Sequence, residues 1–333
     1  MKVNIIAEAG VNHNGSLVRA KKLSLEAKKI GADYVKFQIF NPDEIALNNL
    51  KKTEYQKRNT NNGSDNQYDM LKQLSLSHED FNKLIKYCKK IDIKFLASVF
   101  DITSLNYLKN KSKIIKIGSS EISNFFLLKE VAKLNKKLII STGMCDFTLI
   151  KRALNLLYKN GQDKKNITLL HCNSAYPTPL SDANILTMNK LKNIFKVSVG
   201  YSDHTLGKET AYAAVALGAV IIEKHFTLSK KLEGPDHKIS LDLSEFKEMV
   251  NGIRNITNTL NIKIGRLTKS EKENANLVKK FLVAKNYIKK GEKFSLENLT
   301  AKRTGGGIES MRINTVLNKK SKINFLKNEI IKI

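Results

Sequence analysis

The chain has 333 residues, of which 41% are apolar and 27% are charged, so it can form one large domain or two unequal ones. Long apolar runs exclude a mainly disordered chain, and no run approaches the roughly 20 apolar residues of a transmembrane helix. The N-terminus MKVNIIAEAG lacks the features of a secretory signal, and the three cysteines form no CxxC pair. We therefore expect a cytoplasmic protein.

The net charge of +27 comes from 58 basic and 31 acidic residues. Of the basic residues, 51 are lysines and only 7 are arginines, the residue that nucleic-acid-binding proteins favour. Lysine, asparagine and isoleucine share A/T-rich codons, which offers a compositional explanation. We therefore expect neither nucleic acid nor membrane as a partner. The stretch after residue 260 carries 18 basic and 6 acidic residues, a shift that indicates a domain boundary.

Eight short apolar runs alternate with helix-period segments over the first 260 residues. The runs span residues 3–10, 33–40, 93–100, 113–119, 137–143, 166–173, 196–204 and 220–226. Gly31, Gly161 and Gly218 stand where helices between the runs would end. This alternation predicts an α/β fold of the (β/α)8 barrel type. A doubly wound open sheet is the alternative, which the lack of a GxGxxG turn after the first run disfavours.

Two stretches depart from this alternation. Residues 41–77 are polar and too long for an ordinary strand-to-helix connection, so we expect them to be functional or mobile, with a disordered surface insertion as the alternative. Beyond residue 260, short strands and the turn residues KKGE and GGG predict a small, mostly β domain. The predicted organisation is a barrel over 1–262, a linker over 263–281 and the small domain over 282–333.

Polar side chains follow nearly every predicted strand, at the end where barrels of this type carry their chemistry. Lys36, Lys116 and nearby hydroxyls indicate a site for phosphate or carboxylate. His204 and His225, at the ends of adjacent strands, are a plausible pair of metal ligands. Candidate acid–base or hydroxyl-binding carboxylates are Glu8, Glu121 and Asp236. Any one of these residues alone would more often be a structural or solvated group, but their coincidence favours a site.

The same residues lie in motifs with a family resemblance. The strings IIAEAGVNHNGS, ADYVKFQ, KIGSSE, STGM, YPTP, GYSDHT, EKHFTL and GPDHK occur in this order. They resemble the sialic acid synthase family, and the tail LVAKNYIKKGEKFSLENLTAKRTGGGI resembles its C-terminal antifreeze-like (SAF) domain. The resemblance implies a TIM barrel followed by a small SAF domain, in a domain-swapped homodimer. It also implies a transferase that joins phosphoenolpyruvate to an N-acylated amino sugar, with C–O cleavage and release of phosphate.

The resemblance assigns roles to individual residues. His204 and His225 would hold a divalent metal, Mn²⁺ or Mg²⁺, as a Lewis acid for the sugar aldehyde. Phosphoenolpyruvate would be held by Lys36, Gln38, Lys116, Ser119, Ser141 and Ser202. The sugar would face Glu8, Glu121, Asn173, Tyr176 and Asp236, with Arg303 reaching its acyl-amino group from the partner's small domain. We expect Lys36 and Lys116 to act in catalysis together with Glu8 or Glu121, between which the sequence does not decide.

Three motifs depart from the family pattern. ASVF replaces STPF at the third strand, where Ser98 keeps a substrate-binding hydroxyl. NSAYPTP has Ala175 where relatives often carry Glu, and KRTGGGIES lacks the proline of a KRPGNGIS-like segment. These changes bear on the substrate more than on the reaction type.

The first hypothesis is an N-acetylneuraminate synthase acting on N-acetylmannosamine. The alternative is a legionaminate synthase acting on a 2,4-diacetamido-6-deoxy sugar. The first motif and the second strand argue against a pseudaminic acid synthase. A nucleic-acid-binding protein is disfavoured because no recognition motif is present. An inactive barrel is disfavoured because the expected lysines and histidines are all there.

Overall fold

The computed structural model describes residues 2–60, 64–260 and 265–333. The chain divides into two compact units, Met1–Asn261 and Ile262–Ile333. The predicted boundary between residues 262 and 263 falls within 261–264 and so lies outside the described residues.

Eight parallel strands form a closed barrel in the first unit. Their apolar residues are buried on both faces, as in other parallel sheets that helices cover. The strands are β1 Asn4–Gly10, β2 Tyr34–Ile39, β3 Lys94–Val99, β4 Ile114–Ile117, β5 Lys137–Ser141, β6 Ile167–His171, β7 Ser198–Asp203 and β8 Ile221–His225. Because β1 pairs with both β2 and β8, the sheet closes on itself. The predicted barrel is confirmed, and the open-sheet alternative is wrong.

Helices follow the strands and cover the barrel. They are α1 Leu17–Lys29, α2 Pro42–Ile45, α3 Glu54–Asn59, α4 Gln67–Leu74, α5 His78–Lys90, α6 Ile102–Leu108, α7 Phe125–Lys133, α8 Phe147–Lys159, α9 Thr187–Phe195, α10 Glu209–Ala216 and α11 Leu243–Thr259, with α12 Lys269–Val278 in the second unit. A serine caps α1 and another caps α5, because Ser16 and Ser77 each accept a backbone N–H of the first turn. Within the described part of the chain, no helix is long and apolar enough to cross a membrane.

Side chains inside the barrel form layers along its axis. The lowest layer is an apolar floor that includes Ile6, Leu96, Ile139, Leu170 and Ile221. Since side chains alternate between the two faces of a strand, the residue two positions further along also points inward. These next positions hold charged, hydroxyl or thiol side chains, all of them buried: Glu8, Lys36, Ser98, Lys116, Ser141, Cys172, Ser202 and Glu223. We call this set the polar ring.

The polar segment 41–77 folds beside the C-terminal ends of the strands. Its described residues, 41–60 and 64–77, contain α2, α3 and α4. Met70 and Leu74 of α4 are buried against Val11 and Phe40, which follow β1 and β2. The alternative of a disordered insertion is therefore wrong for the described residues, which we call the mouth segment.

The second unit has its own small core. Strands β9 Lys280–Ala284 and β10 Leu299–Arg303 pair antiparallel, and a 3-10 turn spans Ser310–Thr315. Its buried apolar residues are Leu282, Ala284, Ile288, Phe294, Leu299, Val316, Phe325 and Ile331. The small, mostly β domain expected after the barrel is thus present. The stretch interpreted as a linker contains α12.

Candidate active site

Two buried lysines of the polar ring share one carboxylate. Lys36 Nζ lies 2.9 Å from Glu8 Oε2 and 3.5 Å from Glu223 Oε2. Lys116 Nζ lies 3.7 Å from Glu223 Oε1. The two ammonium groups come from β2 and β4, so a small anion that reached the polar ring would meet two lysines that share the Glu223 carboxylate.

Serine hydroxyls complete the hydrogen bonding of this cluster. Lys36 donates to Ser98 Oγ at 2.9 Å, and Lys116 donates to Ser141 Oγ at 2.7 Å. The Ser202 hydroxyl donates at 3.0 Å to the carboxylate that the lysines share. All three serines were predicted to bind substrate; Ser98 and Ser141 contact the lysines directly, and Ser202 contacts the carboxylate that the lysines share.

The charges in the ring shift one another's protonation. Burial raises the pKa of Glu8 to about 7, against the opposing charge of Lys36. Burial also disfavours ionisation of Glu223, but the charges of Lys116 and Lys36 outweigh it and lower its pKa to about 2. Burial lowers the pKa of Lys116. Glu8 is thus the ring carboxyl that can exchange a proton near neutral pH.

Ser119 lies beside the ring, in the loop after β4. Its hydroxyl is 3.2 Å from the Cys172 thiol and accepts the backbone N–H of Gly143 at 3.0 Å. The loops after β4, β5 and β6 therefore meet at this hydroxyl. The three cysteines of the chain, Cys88, Cys145 and Cys172, are free thiols.

His204 and His225 lie next to each other at the mouth, with ring centroids 5.6 Å apart. The Asn173 carbonyl lies 2.6 Å from His204 Nδ1, and because a carbonyl only accepts, Nδ1 carries the proton. His225 Nδ1 is buried without a hydrogen-bond partner in the described structure and lies 3.9 Å from Asp236 Oδ2. The adjacent strand ends thus place the two imidazoles as predicted.

This imidazole pair fits a divalent metal. Burial lowers the pKa of His204 to about 4 and that of His225 well below its ordinary value, so both rings are neutral, the form that binds metals. Among the described residues, no group of three or more His, Cys, Asp or Glu side chains is arranged to hold a metal ion. A cation held here would therefore rely on two imidazole nitrogens, with its other positions left for substrate and water.

Tyr176 and Asp236 flank the imidazoles. The Tyr176 ring lies 4.3 Å from that of His204, centroid to centroid. Gly10 separates three of the site side chains: a Cβ added there would lie 3.3 Å from Glu8 Oε1, 3.4 Å from His225 Cε1 and 3.5 Å from Asp236 Oδ2. Burial raises the pKa of Asp236 to about 6. A glycine at this position keeps the space between these groups open.

The side chains of four other predicted residues lie outside this contact network. Gln38 is half-buried and pairs in register with Ser98 of the ring. Glu121 is in the 3-10 turn Ser120–Ser123, where it accepts Asn124 Nδ2 at 2.8 Å, and burial raises its pKa.

The Asn173 side chain accepts the backbone N–H of Ala175 at 2.7 Å, so its amide serves the loop. Only the Asn173 carbonyl contacts the site, through His204. Arg303 belongs to the second unit, at the end of β10. Its side chain is exposed, and its backbone register partner on β9 is Lys280.

Sequence reasoning gave no role to Glu223, which links the two lysines. The sequence pattern does predict that the Glu223 side chain points into the barrel. Ile221, Glu223 and His225 follow the period-two alternation that turns every second side chain of β8 inward. A carboxylate between two lysines cannot be identified until the barrel brings β2, β4 and β8 together.

Comparisons with known proteins agree with this architecture. The NeuB family profile matches residues 24–264, and the SAF domain profile matches residues 279–333. The chain is 48% identical over 332 residues to the N,N'-diacetyllegionaminic acid synthase of Campylobacter jejuni, with 99% of each chain covered. It is 40% identical over 323 residues to the synthase of the same name from Legionella pneumophila, which covers 96% of this chain and 90% of that one.

One solved structure extends the likeness to three dimensions. The crystal structure of N-acetylneuraminic acid (sialic acid) synthetase from Leptospira borgpetersenii, in complex with citrate, matches with a TM-score of 0.71 at 34% identity. The match covers 82% of this chain and 90% of that one.

Proposed function

Because this chain belongs to the NeuB family and ends in an SAF domain, we propose that it condenses phosphoenolpyruvate with an N-acylated amino sugar, preferably a 2,4-diacetamido-6-deoxy sugar. The product would be a nine-carbon 2-keto acid of the legionaminate type. The coarser conclusion, a phosphoenolpyruvate-dependent synthase of the sialic acid type, has the support of all the relatives described above.

The polar ring is the observation that carries this proposal. Two buried lysines in contact with serine hydroxyls supply the positive charge and the hydrogen-bonding groups that a small, multiply charged anion needs. The imidazole pair and Asp236 lie above, where a polar sugar could be held. An enzyme that joins a phosphorylated acid to a sugar aldehyde needs these two regions side by side.

The proposed chemistry forms one C–C bond and breaks one C–O bond. C3 of phosphoenolpyruvate attacks the sugar aldehyde carbon, and the aldehyde oxygen takes up a proton. Water adds at C2, and the bond between C2 and the phosphate oxygen breaks, which releases phosphate and leaves the ketone. Lys36 and Lys116 hold the anion, and Glu8 is suited to move a proton because its pKa is about 7.

A divalent ion at His204 and His225 would supply Lewis acidity to the aldehyde oxygen. Of the two candidates, we favour Mn²⁺, since Mg²⁺ prefers an all-oxygen environment. The assignment can be tested without turnover. Mn²⁺ should broaden or lose its free-ion electron paramagnetic resonance signal on mixing with the protein. The signal should not broaden or disappear with His204→Ala. If it does so as strongly as with the wild type, the assignment is contradicted.

The substrate preference follows from the relatives. Two relatives, at 48% and 40% identity, are named N,N'-diacetyllegionaminic acid synthases, which favours the sugar with acetamido groups at C2 and C4. N-acetylmannosamine, placed first by the sequence motifs, becomes the second candidate. It keeps support from the solved sialic acid synthetase at 34% identity.

The deciding experiment measures phosphate release from phosphoenolpyruvate with each sugar in the presence of Mn²⁺. We expect kcat/KM to be higher for the 2,4-diacetamido-6-deoxy sugar than for N-acetylmannosamine. The reverse order would move the assignment to N-acetylneuraminate synthesis. Release with neither sugar would contradict the proposed reaction.

The homodimer and the role of Arg303 remain part of the proposal. Because the arginine is exposed in its own unit, it is available to a sugar held by a partner's barrel. Arg303→Ala should raise the sugar KM and leave the phosphoenolpyruvate KM unchanged, with exposed Arg312→Ala as the control. Sedimentation of the wild type as a monomer at working concentration would contradict the shared site.

A further inference from the structure

The mouth segment reaches the sugar side of the site through Tyr55 of α3. Its ring stacks on that of Tyr176, with centroids 5.1 Å apart and planes inclined by 28°. Tyr176 in turn lies against His204. The rings therefore form a continuous row, Tyr55–Tyr176–His204, from the mouth segment to the imidazole pair.

The same helix is tied to the loop that carries Asp236. Asn59, the last residue of α3, donates its amide Nδ2 to the Pro235 carbonyl at 2.7 Å. Burial raises the pKa of Tyr55, and the negative charge of Asp236 raises it further. α3 thus connects the loops after β6 and β8, which present Tyr176 and Asp236.

Hydrogen bonds around buried Gln56 hold α3 in place. Its Oε1 accepts the backbone N–H of Thr53 at 3.0 Å and Nε2 of Gln67 at 3.0 Å. The Thr53 N–H would otherwise be an unpaired group at the helix start. Because Gln56 joins α3 to Gln67 and Asn59 joins it to Pro235, the helix presents the Tyr55 ring in a defined position.

We propose that Tyr55 is a positioning residue for the sugar acceptor. It holds the Tyr176 ring against His204, and the two phenol rings form the outer wall of the sugar side of the site. Apolar ring faces suit the C–H surfaces of a sugar, whereas the anion-binding lysines lie below in the polar ring. This inference rests on the proposed function and adds a specificity determinant from outside the barrel strands.

The test compares Michaelis constants for the two substrates. Tyr55→Ala should raise the sugar KM about tenfold, roughly what an aromatic pair contributes, and leave the phosphoenolpyruvate KM within about twofold of wild type. Tyr55→Phe keeps the ring and should restore the wild-type sugar KM. Tyr68→Ala is the matched control, since Tyr68 is also in the mouth segment but its hydroxyl bonds to Asp43.

A second measurement does not depend on turnover or on the alanine variant. The chain contains no tryptophan, so Tyr55→Trp gives a single indole stacked on Tyr176. Adding the sugar should change its emission, whereas phosphoenolpyruvate alone should not. The proposal is overturned if the tryptophan emission does not change when the sugar is added at concentrations that saturate turnover by the wild type.

The kinetic outcomes separate this role from the reaction itself. No phosphate release by the wild type with any N-acylated amino sugar overturns both the proposed function and the role of Tyr55. Turnover by the wild type together with an unchanged sugar KM in Tyr55→Ala overturns the role of Tyr55 alone.

Discussion

Lys224 and Asp203 form an ion pair with Nζ and Oδ2 2.7 Å apart, and neither side chain is more than 1% exposed. The two residues are register partners on β8 and β7. Each is followed directly by a histidine of the site, His204 or His225. The pair therefore fixes the two strand ends from which the imidazoles project.

Breaking this pair should cost stability and metal binding together. Asp203→Asn leaves a buried ammonium without its counter-charge, which costs about 3–5 kcal/mol of unfolding free energy. Replacing both partners, as in Asp203→Leu with Lys224→Met, should recover much of that loss. Denaturant unfolding of the two variants measures the difference, and Mn²⁺ binding reports the position of the imidazoles. If Asp203→Asn and the wild type have equal unfolding free energies, the ion pair does not stabilise the strand ends.

Removing one anion-binding lysine should abolish most turnover. Lys116→Met retains the length of the side chain but not the charge that contacts Ser141, so kcat/KM for phosphoenolpyruvate should fall at least about 100-fold. Exposed Lys113, just before the same strand, provides the control Lys113→Met, which should behave as wild type. A loss below about threefold in Lys116→Met would place the anion elsewhere.

Glu8 should make folding stability fall as pH rises. In the folded chain its pKa is about 7, above the ordinary value of 4.5, so the folded state binds more protons than the unfolded state between these values. The contribution is fully present below about pH 4.5 and is lost by about pH 7, at most about 3 kcal/mol. Unfolding free energies measured from pH 4.5 to 8 should decline more steeply in the wild type than in Glu8→Gln, which keeps only the smaller decline from Asp236.

The control for that titration is Glu130→Gln, because Glu130 is a surface residue paired with Lys133. Its pH profile should parallel the wild type. If Glu8→Gln also parallels the wild type, the carboxyl is already ionised throughout this range, and its proposed role in proton transfer fails.

Gly200 should not tolerate a side chain. It points into the apolar floor, where an added Cβ would lie 2.5 Å from the Ile221 carbonyl oxygen and 2.7 Å from Leu170 Cδ2. Gly200→Ala should therefore cost about 1–3 kcal/mol of stability, as overpacked cores do. At Gly306 no atom lies within 4 Å of the added Cβ, so Gly306→Ala is the control. Similar melting temperatures for both variants would contradict the tight floor.

The barrel could be predicted from sequence because each strand has a recognisable local sequence pattern. Runs such as NIIAEAG are β-branched and apolar, and the glycines at 31, 161 and 218 adopt the positive φ that ends a helix. The polar strand ends were also local signals, and the structure gathers most of them into one site. These inferences needed no knowledge of which strands are neighbours.

The contacts that cross the barrel could not be predicted in this way. Glu223 meets Lys36 and Lys116 only after three distant strands close the sheet. Tyr55 lies in a polar stretch with little hydrophobic patterning, and its helix gains its place from tertiary contacts, as short helices do. A sequence pattern within ten residues does not indicate which distant residues contact Glu223 or Tyr55.

The polar ring also has a consequence for proton balance. With both glutamates ionised, its two lysines are already neutralised, so an incoming phosphoenolpyruvate brings a net negative charge into a buried space. Glu8 can relieve that excess by taking up a proton. The ligand would then bind as a charge-compensated pair of anion and proton, and the heat of binding would change with the ionisation enthalpy of the buffer.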